Sequence, residues 1–211
     1  MKEALLEKTL RKMRLGRVLP TIKQFQNPSV LDVGCGWEAR LLKEIEPFIY
    51  KGVGIDFKAP IIQTQKIHTF SYFFESKDFI AGGGIVQSWE NATYSGHCHL
   101  PFENESFEVV SLLAVLEHLY YPFDMMYEIA RVLKPGGCLI LTVPSHLAKP
   151  VLEFLSFRLK IVSEEEIRDH KRYYDRKDLA SLVAASPHLR LVKHTYFQLG
   201  MNNFAVIEKE R

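Results

Sequence analysis

Apolar residues in this chain fall into short continuous runs that alternate with stretches of helical spacing. Val30, Leu31 and Val33 make the first run, a buried strand that ends at Gly34 and Gly36. Ala39, Leu41, Leu42, Ile45 and Phe48 then recur at helical intervals across Glu38–Ile49. Lys51–Phe57 reads as the next strand, and Ile67–Phe74, β-branched and aromatic with partial alternation, as the third. Only FKAPIIQTQK separates them, which is short for a crossover helix. Phe107–Leu113 is a further strand, Phe123–Leu133 a helix stopped by Pro135-Gly136-Gly137, and Cys138–Val143 another buried strand. A helix over Arg176–Ala185 precedes LRLVKHTYFQL and MNNFAVIEK, two strands joined by a tight turn around Gly200.

This alternation predicts an α/β fold: a Rossmann-like three-layer sandwich, mostly parallel, whose sheet ends in an antiparallel hairpin. Residues 1–211 are expected to form one domain, with 1–27 as a helical extension. In that extension Leu5, Leu6, Leu10, Met13 and Leu15 lie near helical spacing among Lys2, Lys8, Arg11, Lys12 and Arg14. Such a helix either packs on the domain or lies on a membrane surface. Residues 75–99, with Gly82-Gly83-Gly84, show no period and read as a loop or insertion. Residues 145–175 hold a possible substrate lid, where Leu152, Phe154, Leu155 and Phe157 suit a lid and core packing alike.

The formal charge of +2 gives no electrostatic footprint for nucleic acid. Cys35, Cys98 and Cys138 are widely spaced and odd in number, so no disulfide framework is expected and a cytoplasmic setting fits. No apolar run is long enough to span a membrane. Oligomeric state is left open.

Gly34, Gly36 and Ala39 match the dinucleotide pattern G-x-G-x-x-G/A, and Asp56 ends the following strand where a ribose diol would be held. The pair implies a nucleoside cofactor, and NAD is one reading. Asp32, the segment LPFENESFEVVSLLAVLEHL and the closing hairpin point elsewhere. Together VLDVGCG, GVGID, LPFENESFEVV, AVLEHL, EIARVLKPGGCLILTVPS and the hairpin resemble a class I S-adenosylmethionine-dependent methyltransferase, from Ser29 to Lys209 and in the family's order.

The resemblance implies that S-adenosyl-L-methionine is the cofactor. Asp32, Gly34 and Gly36, with Cys35 between them, would line its methionine portion. Asp56, followed by Phe57, would hold the ribose, and the turn at Leu113, Ala114 and Val115 would face the amino group, with His118 beyond it. Glu75, or else Asp78, would meet the adenine. Two departures stand out: Glu38, preceded by Trp37, replaces a third glycine, and the segments after Asp56 and Glu75 are unusual.

A sulfonium methyl donor is already electrophilic, so a base is needed only for a hydroxyl or protonated-amine acceptor. His118, after Glu117 at the sheet's carboxyl edge, is a candidate base, although both residues would equally shape the loop. HKRYYDRKDL resembles the family's H-x-R-x-Y/F segment. There Tyr173 and Tyr174 would cover the pocket, His170, Arg172 or Tyr174 would meet substrate, and Asp175 or Asp178 would cap the helix. His97-Cys98-His99 is too tightly spaced for zinc, and Cys35 reads as a small buried residue. The expected activity is methyl transfer to a small-molecule or biosynthetic-intermediate acceptor. An inactive cofactor-binding partner subunit and an NAD-dependent oxidoreductase are the alternatives.

Overall fold

The computed structural model describes residues 5–75, 89, 92–157 and 168–211. Helix α1 (Leu5–Ile22) leads into β1 (Ser29–Val33), α2 (Arg40–Ile45), β2 (Lys51–Asp56), β3 (Ile62–Gln63) and β4 (Ile67–Ser71). Then follow β5 (Phe107–Leu113), α3 (Pro122–Val132), β6 (Leu133–Pro144), α4 (Ala148–Phe157), α5 (Arg176–Ala185), β7 (Leu189–Phe197) and β8 (Asn202–Lys209). The strands form one sheet in the order β3-β4-β2-β1-β5-β6-β8-β7. The inner pairs are parallel, whereas β6–β8, β7–β8 and β3–β4 are antiparallel. The expected mostly parallel sheet with a terminal hairpin is therefore observed.

The continuous apolar runs arise because the central strands are covered on both faces. Leu31, Val33, Val110, Leu112, Leu139 and Leu141 pack toward Met126 and Ile129 of α3 and Leu179 and Leu182 of α5. Their alternate neighbours Val30, Val109, Ile140 and Phe204 pack toward Val18 and Ile22 of α1 and Leu42 and Ile45 of α2. The N-terminal helix thus packs on the domain. Its buried contacts come from Val18 and Ile22, with Leu15 and Leu19 partly covered, while Met13 faces solvent. Among the described residues no helix is long and apolar enough to cross a membrane.

Several boundaries differ from the sequence pattern, each for a local reason. Pro47 turns the end of the expected helix Glu38–Ile49 into a 3-10 turn over Glu46–Phe48, leaving α2 as six residues. The third strand stops at Ser71 rather than Phe74. In place of a crossover, FKAPIIQTQK holds the two-residue β3, which pairs back on β4 at Thr69 and His68. α3 ends at Val132, before the Pro-Gly-Gly run, because Leu133 already pairs with Phe107. The run is absorbed into β6, where Gly136 takes φ +76° and the register with β5 shifts. Most of 75–99 and part of 145–175 lie outside the described residues, as do the side chains of Phe154, Leu155 and Phe157. Trp89 is buried in the core on the α3 side.

Both candidate caps of α5 are used. Asp175 accepts from the N–H groups of Lys177 (2.7 Å) and Asp178 (2.9 Å), and Asp178 accepts from Asp175 N (2.8 Å). This capping box fixes the entry of the chain that carries residues 168–174 toward the sheet edge. Asp175→Ala is expected to lower stability by about 1 kcal/mol in urea unfolding, with Asp175→Ser recovering most of the loss.

Candidate cofactor and acceptor site

The carboxyl ends of β1, β2 and β5 meet at one edge of the sheet, where ligands bind in open α/β folds. The chain turns out of β1 at Gly34, whose φ is +79° and whose N–H donates to Ile55 O at 2.8 Å. A Cβ on Gly34 would stand 2.2 Å from Val115 Cγ2, so only glycine lets the AVLEHL turn close against this loop. Gly36, at φ +68°, differs: the space beside its Cα is open, and its N–H donates to Asp56 Oδ2 at 3.1 Å. That open face, next to a carboxylate, fits a nucleoside cofactor approaching the backbone closely. Asp56 Oδ1 also accepts from Lys58 N at 2.8 Å, which sets the carboxylate's orientation. Glu38 does not obstruct the loop, because its carboxylate pairs with Arg40. Ala39, at φ 48°, then makes the left-handed step into α2.

Asp32 lies between β2 and β5, in register with Gly54 and Ser111. Ser111 Oγ donates to Asp32 Oδ1 at 2.6 Å. Burial pushes the Asp32 carboxyl up to about 7, the serine bond opposing and the nearby Asp56 adding to the rise. A cationic group bound beside Asp32 would favour its ionised form. Cys35 turns its thiol into the core on the α2 side, and burial pushes that thiol up, so any cofactor contact is left to its backbone. Phe57 is half exposed, its ring 6.0 Å from that of Phe73. Ala114 follows β5 at φ +58° and donates its N–H to Thr142 O at 2.9 Å.

Glu75 does not stand at the end of a strand as expected. With β4 ending at Ser71, Glu75 is carried past the strand tip and pairs with Cys98 in an isolated bridge. Its Oε1 accepts from Tyr121 N at 2.9 Å, so it ties two loops together. Asp78 lies outside the described residues.

Beyond β5, Leu116–His118 forms a 3-10 turn. Glu117 is buried, its Oε2 has no hydrogen-bond partner, and burial pushes its carboxyl up to about 7 against the opposing charges of His118 and Arg14. Its carbonyl accepts from Lys171 N (2.7 Å) and Arg172 N (3.3 Å), which docks the segment before α5 onto the turn. His118 Nδ1 and Asp169 Oδ2 are 2.9 Å apart. The rings of His118 and His170 meet edge to face at 4.8 Å, and His170 Nδ1 lies 3.2 Å from the Tyr173 hydroxyl. Burial, then the neighbouring His118, pulls His170 down to about 4, leaving it neutral near pH 7.

The structure therefore brings His118 and His170 together, but Tyr174 is no pocket cover. It is 1% exposed, donates its N–H to Pro144 O at 3.1 Å and accepts from Asn203 Nδ2 at 2.8 Å through its carbonyl. Arg172 Nη1 donates to Leu119 O (3.1 Å) and Tyr120 O (3.4 Å), fixing the loop after the turn. His97 stacks on Tyr121 at 4.2 Å and donates its N–H to Asp124 (2.8 Å), so the His-Cys-His run serves packing. Three site residues went unread in the sequence: Ser111, Asp169 and Arg14. Ser111 shares a register row with Asp32, and Asp169 meets His118 across two loops, and neither relation is visible before the strands and loops are paired.

A parallel sheet with glycine turn, buried acid and ribose-type carboxylate at its carboxyl edge defines a nucleoside-cofactor-binding α/β domain. The methyltransferase-domain family matches residues 6–186, and the chain belongs to it. It is a class I S-adenosylmethionine-dependent methyltransferase domain, which removes the NAD reading. Demethylmenaquinone methyltransferase of Lactiplantibacillus plantarum is 27% identical over 130 residues, 60% of this chain and 49% of that protein. Ubiquinone biosynthesis O-methyltransferase of Serratia proteamaculans is 23% identical over 178 residues, covering 83% and 68%. The chain spans about half the length of the first of these relatives. A methyltransferase from Aquifex aeolicus, described as SAM dependent, superposes with a TM-score of 0.59 at 14% identity, over 92% of this chain and 89% of its own.

Two substitutions test the cofactor edge. Asp56→Ala is expected to weaken S-adenosylhomocysteine binding by about 1–3 kcal/mol in calorimetric titration, and unchanged affinity removes Asp56 from the site. Asp32→Asn is expected to weaken binding as well, yet to stabilise the free protein. Because the folded carboxyl titrates near 7 rather than 3.8, its stabilising protonation is complete at acid pH and lost as pH rises toward 7. The gain in Asp32→Asn, about 1–3 kcal/mol, should therefore appear at about pH 8 and shrink at about pH 5 in denaturant unfolding.

Proposed function

We propose that this chain transfers a methyl group from S-adenosyl-L-methionine to an oxygen or carbon of a small hydroxylated ring compound. The observation that carries the reading is the placement of two groups on one edge. The cofactor residues Asp32, Gly36 and Asp56 border the ends of β1 and β2, and Glu117, His118 and His170 follow β5 next to them. When bound, the cofactor supplies an electrophilic methyl carbon. The chain's own work is to hold the acceptor in line, exclude water and take up a proton where one is lost.

The acceptor class draws on the relatives, whose names place them in menaquinone and ubiquinone chemistry. The site is consistent with it. Glu117, its carboxyl raised to about 7, offers a proton acceptor near neutral pH, as a phenolic hydroxyl requires. Arg14 of α1 lies close enough to Glu117 for the two charges to act on each other.

Incubation with methyl-labelled cofactor and a panel of catechols, hydroquinones, primary amines and carboxylates tests this. Label in the hydroxylated rings alone is expected. Label in amines alone overturns the acceptor class, and tight cofactor binding with no label in any acceptor favours the inactive partner subunit. In Glu117→Gln the rate at saturating acceptor is expected to fall about 10–100-fold with cofactor affinity unchanged.

A further inference from the structure

Glu117, His118 and His170 each bring one ligating atom into a group whose members lie within 4.8 Å of one another. Two independent features separate this group from an ordinary polar cluster. Glu117 is buried, yet its Oε2 has no hydrogen-bond partner, an expensive state for a carboxylate oxygen. Each imidazole is also already engaged through one nitrogen: His118 Nδ1 with Asp169 Oδ2 at 2.9 Å, and His170 Nδ1 with the Tyr173 hydroxyl at 3.2 Å. Those contacts hold the two rings in place beside Glu117. That is how metal-ligating histidines are commonly oriented by a carboxylate or hydroxyl behind them.

We propose that Glu117, His118 and His170 form a binding site for a divalent transition cation of the zinc, cobalt or iron(II) type. Two imidazoles and one carboxylate suit these ions, whereas magnesium and calcium prefer oxygen-only sets. Zinc–ligand bonds of about 2.0–2.2 Å place neighbouring ligand atoms about 3.3–3.5 Å apart, so the group need tighten by at most about 1.5 Å. Its backbones are already joined, because Lys171 N donates to Glu117 O at 2.7 Å. Three protein ligands leave coordination positions for water or a substrate oxygen, the arrangement of catalytic rather than structural sites.

The surrounding charge sets the strength. Asp169 is paired with Lys171 at 2.7 Å, and Arg14 faces Glu117, so the site carries no excess of negative charge. Reversible binding is expected rather than permanent retention. The other candidate group, His146, Asp175 and Asp178, has both carboxylates engaged in the α5 cap and serves as a control. Cation binding can be tested apart from methyl transfer, although a cation here would acidify a hydroxyl placed on it and would hold Glu117, His118 and His170 as ligands rather than as proton acceptors.

Tag-free full-length protein, stripped with chelator, is titrated with cobalt(II) and followed by visible absorption, and with zinc(II) by calorimetry. One equivalent is expected. His170→Ala and Glu117→Gln should each weaken binding at least about tenfold, and Asp169→Asn about 10–100-fold, as loss of a supporting partner does. His146→Ala should leave binding unchanged. Circular dichroism and S-adenosylhomocysteine binding confirm that each variant is folded. If buried Glu117→Gln does not fold, the half-buried His170→Ala decides. Absence of saturable binding, equal affinity in His170→Ala, or loss in His146→Ala instead overturns the proposal, whether or not methyl transfer is found.

Discussion

The carbonyl of Ile55 accepts two N–H groups at once, from Gly34 at 2.8 Å and Cys35 at 3.1 Å. The next residue, Asp56, accepts from Gly36. Three successive amides leaving β1 are thereby fastened to the last two residues of β2. This is the constraint on which the site depends. It bends the β1 turn back over the neighbouring strand, and the two glycines supply the left-handed backbone that such a bend requires. Val115 then sits against Gly34, so the turn after β5 takes its position from the same knot.

Legibility in the sequence followed the range of the interaction. Phe107–Leu113 and Arg176–Ala185 are legible to the residue because period and end signals agree within each segment. The end of α3 is not, since Leu133 is drawn into the sheet by Phe107, a partner far away in the chain. Much the same separates the site residues. Gly34, Gly36 and Asp56 are visible as a local pattern with fixed spacing, whereas Ser111 and Asp169 become relevant only through a register row and a loop-to-loop contact. Glu75 shows the converse: it directly follows the apolar run that reads as a strand, but the strand itself ends at Ser71. Tyr174 shows how an aromatic beside a charged run, with the look of a binding residue, serves instead as a core side chain.

Two carboxyl groups, Asp32 and Glu117, are buried at neighbouring strand ends and both are raised to about 7. Their situations differ. Asp32 is satisfied by Ser111 and has a nearby like charge, whereas Glu117 has an oxygen with no partner and a guanidinium close by. Neither arrangement favours the folded chain at neutral pH, and an apolar pair in their place would pack with less cost. Perturbed acids of this kind concentrate where a fold binds or transforms a ligand. The α3 and α5 core, well packed around Ile129 and Leu182, is what allows the edge to hold them.

The smallest strand has a consequence for the chain's dealings with other chains. β3, only Ile62 and Gln63, lies along the outer side of β4, with Ile62 N also donating to the Thr69 hydroxyl at 3.1 Å. At the opposite border, β7 breaks register between Leu191 and Lys193 and carries a charged lysine there. One margin is occupied from within and the other is irregular and charged. Among the described residues, both margins thus carry features that disfavour extension of the sheet by a foreign strand.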